Sequence, residues 1–442
     1  MSINKLIVIK DMINLQFKKF YELIDKKEEI EEEKEEMEME INEIEEINIL
    51  NNTELTFKDY KIKINEIMSP YITQINKCKD KDDNYLLDFI NQIPKVELHI
   101  HLEGMINDTI IKQFNNLKNI HIYENDKIFD KFNKIVDILC SDFKNNMRIL
   151  LNYVYEDRLK QNIYYTQFHL SSLKIHSLTN LTVEDQFDII IDIINKIKQK
   201  GKYDNIKIQF ILDIPRGDAY KYDYLNQYFI EIIRLSHDNK YKQYIIAVGI
   251  GGRWEYNTID GNYKKYFELI KDFSTLKIIP HAGEFFDTTT ICNSIKSALN
   301  YSKRIGHGVR IMECDHLNST IDKSNIVLDI NISSNLSFID KYNKNLYKHP
   351  IKELLEEGYN ITLSTDDPGI LYSENNKNID LLHEHKLLLE IIKTYSLKEK
   401  IDILFNISIN SIFFCYYNNN NYANKLLLTI LNYYIRLYNY CK

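Results

Sequence analysis

From residue 86 onward the chain alternates between two hydrophobic rhythms. Short, nearly continuous apolar runs at 163–170, 206–214, 244–250, 276–280, 326–332 and 359–364 read as strands buried on both faces. Between them, stretches at 183–200, 225–236 and 291–301 repeat apolar residues every three or four positions and predict amphipathic helices. Strand then helix, repeated, points to an α/β chain with a parallel sheet wrapped by helices. No Gly-x-Gly-x-x-Gly turn follows the first strand, which removes the main sign of a dinucleotide fold. A closed TIM-type (β/α)8 barrel, which takes about 250 residues or somewhat more, is the better fit.

The ends of the chain differ from this middle. Residues 1–85 read as an acidic, helical N-terminal extension, and 86–442 as the barrel with a C-terminal helix. Residues 28–47 are dominated by glutamate, with Ile30, Met37, Ile41, Ile44 and Ile47 partly at helical spacing. That pattern fits a solvated surface helix or tail, or a helix that binds a partner. A break follows at 51–53, and 58–78 predicts a second helix. Near the C-terminus, a polar run at 418–421 precedes a Tyr-rich apolar helix at 426–440, expected to pack on the outside of the barrel.

Composition narrows the function. A net charge of −8 and the lack of a Lys/Arg block in the barrel argue against a nucleic-acid surface. No stretch of about 18 apolar residues predicts a membrane span. The first residues have neither an unbroken apolar core nor a small-residue cleavage site. Six cysteines without CxxC pairs or framework spacing read as reduced thiols. Together these predict a cytoplasmic protein that works on small molecules.

Four short motifs stand at the ends of apolar runs, where barrel strands share one rim. His99 and His101, two apart on a strand, point to the same face and can share a metal, although such pairs also occur as ordinary core or surface residues. His281 opens His281-Ala282-Gly283-Glu284. Two or three histidines with a carboxylate suit zinc. Glu284 can pass a proton to a substrate, or simply begin the next helix, where the dipole favours an acid. Gly306 and Gly308 flank His307 and leave its imidazole unobstructed. Asp366-Asp367-Pro368-Gly369 has turn chemistry, and it also offers one carboxylate for a metal and one for a substrate.

Taken together, PKVELHIHLEG (94–104), HAGE (281–284), RIGHG (304–308), SSN (333–335), HPI (349–351) and STDDPG (364–369) resemble the adenosine/adenine deaminase family of metal-dependent amidohydrolases. They follow the family's order and spacing across residues 86–415. The resemblance implies one zinc per subunit held by His99, His101, His281 and Asp366, and a purine nucleoside, adenosine, as the small-molecule substrate. Zinc lowers the pKa of water and so supplies hydroxide near neutral pH. His307 and Asp366 would orient that water and take up its proton, while Glu284 would protonate the purine ring nitrogen. His101, Glu103, Gly252 and Asp367 would contact the substrate: Glu103 the ribose, the Gly252 amide and the Asp367 carboxylate the base. The H-x-E and P-C-x-x-C signature of cytidine-type deaminases is absent.

The chain also departs from the family. Glu103 replaces the Asp of typical adenosine deaminases, a feature shared with the adenine branch, whereas Gly306 is like the adenosine branch. Gln167 and His169 stand where Glu and Arg are usual, GIGGRWE (249–255) replaces DLAGDE, and Asn331-Ile332 replaces Cys-Pro. The reading is zinc-dependent deamination of adenosine to inosine and ammonia. The rivals are adenine or N6-methyl-AMP as substrate, and a non-catalytic binding or signalling relative.

Overall fold

The computed structural model describes residues 56–72, 82–114, 128–217, 224–342, 344–371, 379–415 and 420–440. The glutamate-rich stretch at 28–47 and the break at 51–53 lie outside them.

Eight parallel strands follow one another in sequence order: β1 (Lys95–His101), β2 (Ile163–Leu170), β3 (Lys207–Pro215), β4 (Ile245–Gly251), β5 (Lys277–Ala282), β6 (Arg304–His307), β7 (Val327–Ile330) and β8 (Asn360–Leu363). The sheet closes where β1 meets the chain just beyond β8. The His101 amide donates to the Asp366 carbonyl at 2.8 Å, and the Asp366 amide to the His99 carbonyl at 3.1 Å. This is the expected (β/α)8 barrel.

The run at 326–332 stops being a strand at Ile330. Asn331 and Ile332 turn into the helix Ile332–Phe338, which carries SSN on its first turns. The helices Val183–Lys198, Leu225–His237 and Thr288–Leu299 lie close to their expected spans. Thr182 caps the first through a reciprocal bond with Asp185, which satisfies amides the helix leaves unpaired. The Phe57 ring packs 4.9 Å from Phe413 and 4.8 Å from Phe414, so the helix Phe57–Ile72 lies against Leu397–Phe413. The C-terminal helix Asn420–Tyr440 packs there too, Tyr434 lying 5.0 Å from Phe405.

Inside the barrel the floor is polar. Arg304, fully buried, donates to Asp329 at 2.7 Å, to the Leu98 carbonyl at 2.5 Å and to Gln167, and Thr362 donates to the other Asp329 oxygen at 2.6 Å. A buried guanidinium with every direction occupied fixes the strands around it.

One sequence expectation fails. Cys292 and Cys314 form a disulfide across 22 residues, their Cα atoms 5.5 Å apart. Sequence spacing offers no hint of it, because the two meet through the pairing of β5 with β6. The cysteines therefore give no argument for a reducing compartment. No helix among the described residues is long and apolar enough to cross a membrane.

Candidate metal and catalytic site

All four motifs reach one end of the barrel. His281 Nε2 lies 3.3 Å from His101 Nε2, which lies 3.4 Å from Asp366 Oδ1, which lies 3.6 Å from His99 Nε2. Donors bound about 2.0–2.2 Å from a tetrahedral zinc stand roughly 3.3–3.6 Å apart, so these separations match edges of such a polyhedron. His99 Nε2 and Asp366 Oδ1 are buried without a hydrogen-bond partner, as atoms waiting for a cation would be. The donor set fits zinc.

The backbone is strained where these residues sit. His307 and Asp366 both adopt φ of +62°, a region that side chains with a Cβ rarely enter. Asp366 is held there by its two backbone bonds to β1, and its Oδ2 accepts from Ser334 at 2.5 Å. Gly306 allows close approach. A Cβ there would come within 2.6 Å of the His99 ring, so this glycine makes room for that imidazole.

Glu284 follows the turn at Gly283 and is nearly buried. Its Oε2 lies 3.4 Å from His307 Nε2. Glu255 shapes the turn, its carboxylate accepting the amides of Gly283 at 2.8 Å and of Glu284 and Phe285 at 2.6 Å each. Burial, with Asp366 and Glu255 nearby, raises the Glu284 carboxyl well above the ordinary range, favouring the protonated form a general acid needs. Burial lowers His307 to about 3 and His101 to about 4, leaving both imidazoles neutral. For His99 the desolvation is outweighed by Asp329 and Asp366, which raise it to about 9. A cation at its Nε2 would displace that proton.

Glu103 is fully buried, with Oε1 accepting the Ser171 amide at 2.8 Å and Oε2 without a hydrogen-bond partner. Burial raises its carboxyl to about 7. Asp367 is also buried, its Oδ1 lacking a partner, and desolvation followed by Asp366 raises its pKa. Gly252 ends the β4 rim with φ of +96°.

Sequence reasoning names His169 only as a departure and gives Asp213 no role. His169 Nδ1 lies 3.0 Å from both Asp213 carboxylate oxygens, and Asp213 Oδ2 lies 3.7 Å from His101 Nδ1. His99, His169 and His281 form a further group close enough to hold a cation, as do His101, Asp213 and His281. Gly249 explains the fit: a Cβ there would sit 3.0 Å from the Ile279 carbonyl and collide with the Asp213 carboxylate. Asp213 of β3 thus occupies the space that a side chain at 249 would need. The replaced residues at 169 and 249 are the available signal, but the pairing runs across strands and no local motif encodes it.

A family profile described as adenosine deaminase matches residues 94–390. An adenosine deaminase of Clostridium acetobutylicum is 27% identical over 321 residues, covering 68% of this chain and 88% of the bacterial one. Among solved structures, an amidohydrolase from Burkholderia ambifaria with bound Zn superposes with a TM-score of 0.62 at 15% identity, covering 83% of this chain and 97% of that one. The N6-methyl-AMP deaminase of Arabidopsis thaliana gives 0.59 at 19% identity, covering 78% and 98%. The profile spans the first strand through the last and includes every motif gathered at the rim: the chain belongs to the adenosine deaminase family and is a hydrolase of it.

Proposed function

We propose that the protein is a zinc-dependent aminohydrolase that converts adenosine to inosine and ammonia. The observation that carries this reading is the chain of close approaches His281–His101–Asp366–His99, each near the edge length of a zinc tetrahedron, with Glu284 and His307 beside it. Zinc held by those four side chains would make water nucleophilic near neutral pH. Glu284, protonated through burial, donates to the ring nitrogen next to the carbon that bears the amino group. Addition then builds no uncompensated charge on the base. Asp366 and His307 orient the attacking water from one side. Asp367 bonds the imidazole part of the purine, and the Gly252 amide meets its other edge.

Adenosine is favoured over a nucleotide by charge. Burial, and Glu103 close by, raise the Asp213 and Asp367 carboxyls, so a 5′-phosphate entering there would bring its charge into a desolvated space lined by acids. Bacterial relatives of this chain, at 25% and 27% identity, are adenosine deaminases. Glu103, one methylene longer than the usual Asp, bonds the ribose 5′-hydroxyl through its unpartnered Oε2.

The test is ammonia release by zinc-replete protein from adenosine, adenine, AMP and N6-methyl-AMP, each supplied alone. Adenosine should be turned over fastest, and free adenine far more slowly, because a site built for a hydroxyl penalises its absence. Faster turnover of adenine assigns Glu103 to the adenine-type pattern and overturns the substrate. Faster turnover of either nucleotide overturns the charge argument.

A further inference from the structure

Of two motifs found in the sequence, SSN and HPI, only Ser334 has entered so far, as the donor to Asp366. The structure joins them in a line of buried hydrogen bonds that ends at His307. The Ile351 amide donates to His349 Nδ1 at 3.2 Å. His349 Nε2 lies 3.2 Å from Asn335 Oδ1, and Asn335 Nδ2 lies 3.1 Å from His307 Nδ1. His349 is 2% exposed, Asn335 0% and His307 1%, so water does not interrupt the line.

The direction of every bond follows from its first member. A backbone amide can only donate, so His349 Nδ1 accepts. Neutral His349 then carries its hydrogen on Nε2 and donates it to the Asn335 oxygen. This settles which end of the Asn335 amide faces which ring, a choice that carboxamide coordinates alone leave open. The Asn335 nitrogen donates to His307 Nδ1 at 3.1 Å, nearer than the Asn331 side-chain amide at 3.4 Å, and the hydrogen of neutral His307 is then on Nε2. That atom faces the reaction, 3.4 Å from Glu284 Oε2 and 3.8 Å from Asp366 Oδ2.

We infer that His349 and Asn335 are positioning residues that lock His307 in the Nε2–H tautomer, making it a hydrogen-bond donor to the attacking oxygen and not its base. This inference rests on the aminohydrolase reading above. It also changes one expectation drawn from the family resemblance, that His307 shares in taking up the water's proton. With Nδ1 occupied and Nε2 already protonated, His307 has no free lone pair for it. The proton leaving water goes to the Asp366 carboxylate, while the oxygen bonds to the purine carbon under the His307 N–H. A donor fixed before substrate arrives stabilises charge on that oxygen without reorganising during the reaction.

Two measurements on the zinc-loaded enzyme test this. In protein labelled with 15N at histidine, the His307 signals are assigned by their loss in His307→Gln. Nδ1 should show the shift of an unprotonated nitrogen and Nε2 that of a protonated one, and the reverse pattern overturns the proposal. The second is Asn335→Asp, nearly identical in shape but able only to accept from both rings. It should move the His307 hydrogen to Nδ1 and lower kcat by at least about 10²-fold, a wrong histidine tautomer costing about 10⁴-fold in a serine-protease triad. KM should stay within about threefold and zinc content should not change. His349→Phe, which lets the Asn335 amide turn, should cost less, about tenfold.

Wild-type kcat in Asn335→Asp overturns the proposal, and so does a loss of kcat that tracks lost zinc. If Asn335→Asp does not fold, the wild-type spectrum decides alone. Absence of ammonia release from every substrate, with His307 still in the Nε2–H form, would count against the functional reading while leaving the tautomer lock in place.

Discussion

Strands β1 to β4 run for seven to nine residues, whereas β5 spans six and β6 to β8 only four each. At or within four residues of the ends of β5, β6 and β8, though not of β7, the backbone enters left-handed conformations, at Phe286, His307 and Asp366. Beyond β4 only Gly252 does so. The second half of the barrel therefore presents its reactive groups on strained turns, held by backbone bonds and by Glu255. The first half contributes side chains that meet across strands, as His169 meets Asp213. Strain of this kind persists only where surroundings over-determine it, which is why it gathers at a reactive rim. Chemistry fixed by turn geometry needs particular residues at adjacent positions. Chemistry fixed by pairing across strands can exchange one partner for another.

The contrast can be broken experimentally, most forcefully at Glu284. Glu284→Gln should keep its shape and the metal but remove the donated proton, lowering turnover on the order of 10²-fold or more. Steady-state rates with metal content measured on the same samples check this, and near-normal turnover would make the second half no more chemical than the first.

The first half should matter mainly for the cation. Asp213→Asn or His169→Ala is expected to weaken zinc binding by about 10–100-fold, the usual cost of losing a group that orients a ligand. Competition with a chromophoric chelator reads this out, and unchanged affinity would reduce the pair to scaffold.

A smaller effect is expected at Gly249. Gly249→Ala forces a methyl against Asp213 and the Ile279 carbonyl, at a cost of about 1–3 kcal/mol in denaturant melts. Adding Asp213→Ala should recover part of that loss. Simple additivity of the two changes would mean the collision does not occur.

The gentlest test is a pH slope. Glu384, buried on the helix Leu381–Ile391, accepts the Ser333 amide at 3.2 Å, and burial raises its carboxyl from 4.5 to about 8. The folded state thus keeps a proton that the unfolded chain releases. The penalty is absent below about 4.5, grows by up to about 1.4 kcal/mol per pH unit, and levels off above about 8. Wild type should lose stability across that window relative to Glu384→Gln, and parallel curves would refute it.

Much of this architecture is legible in the amino-acid sequence. The strand at 163–170 lies where its apolar run places it, and the residues proposed as ligands converge at one rim because each motif ends a strand. Whatever depends on register is not legible there. Asp213 lies in an ordinary apolar run, and only the pairing of β2 with β3 sets it beside His169. Cys292 meets Cys314 for the same kind of reason. Asn335 and His349 are visible as motif letters, but their role depends on hydrogen-bond direction, which sequence does not state.

The seam between β1 and the end of β8 has a consequence for exchange of the cation. Through its amide and carbonyl, Asp366 is stitched to His99 and His101, so three of the four proposed ligands lie on the two edges that close the cylinder. Unzipping that seam would part those donors together, and a cation bridging them would act as its clasp. Loss of the ion and opening of this seam would then be coupled, each making the other easier.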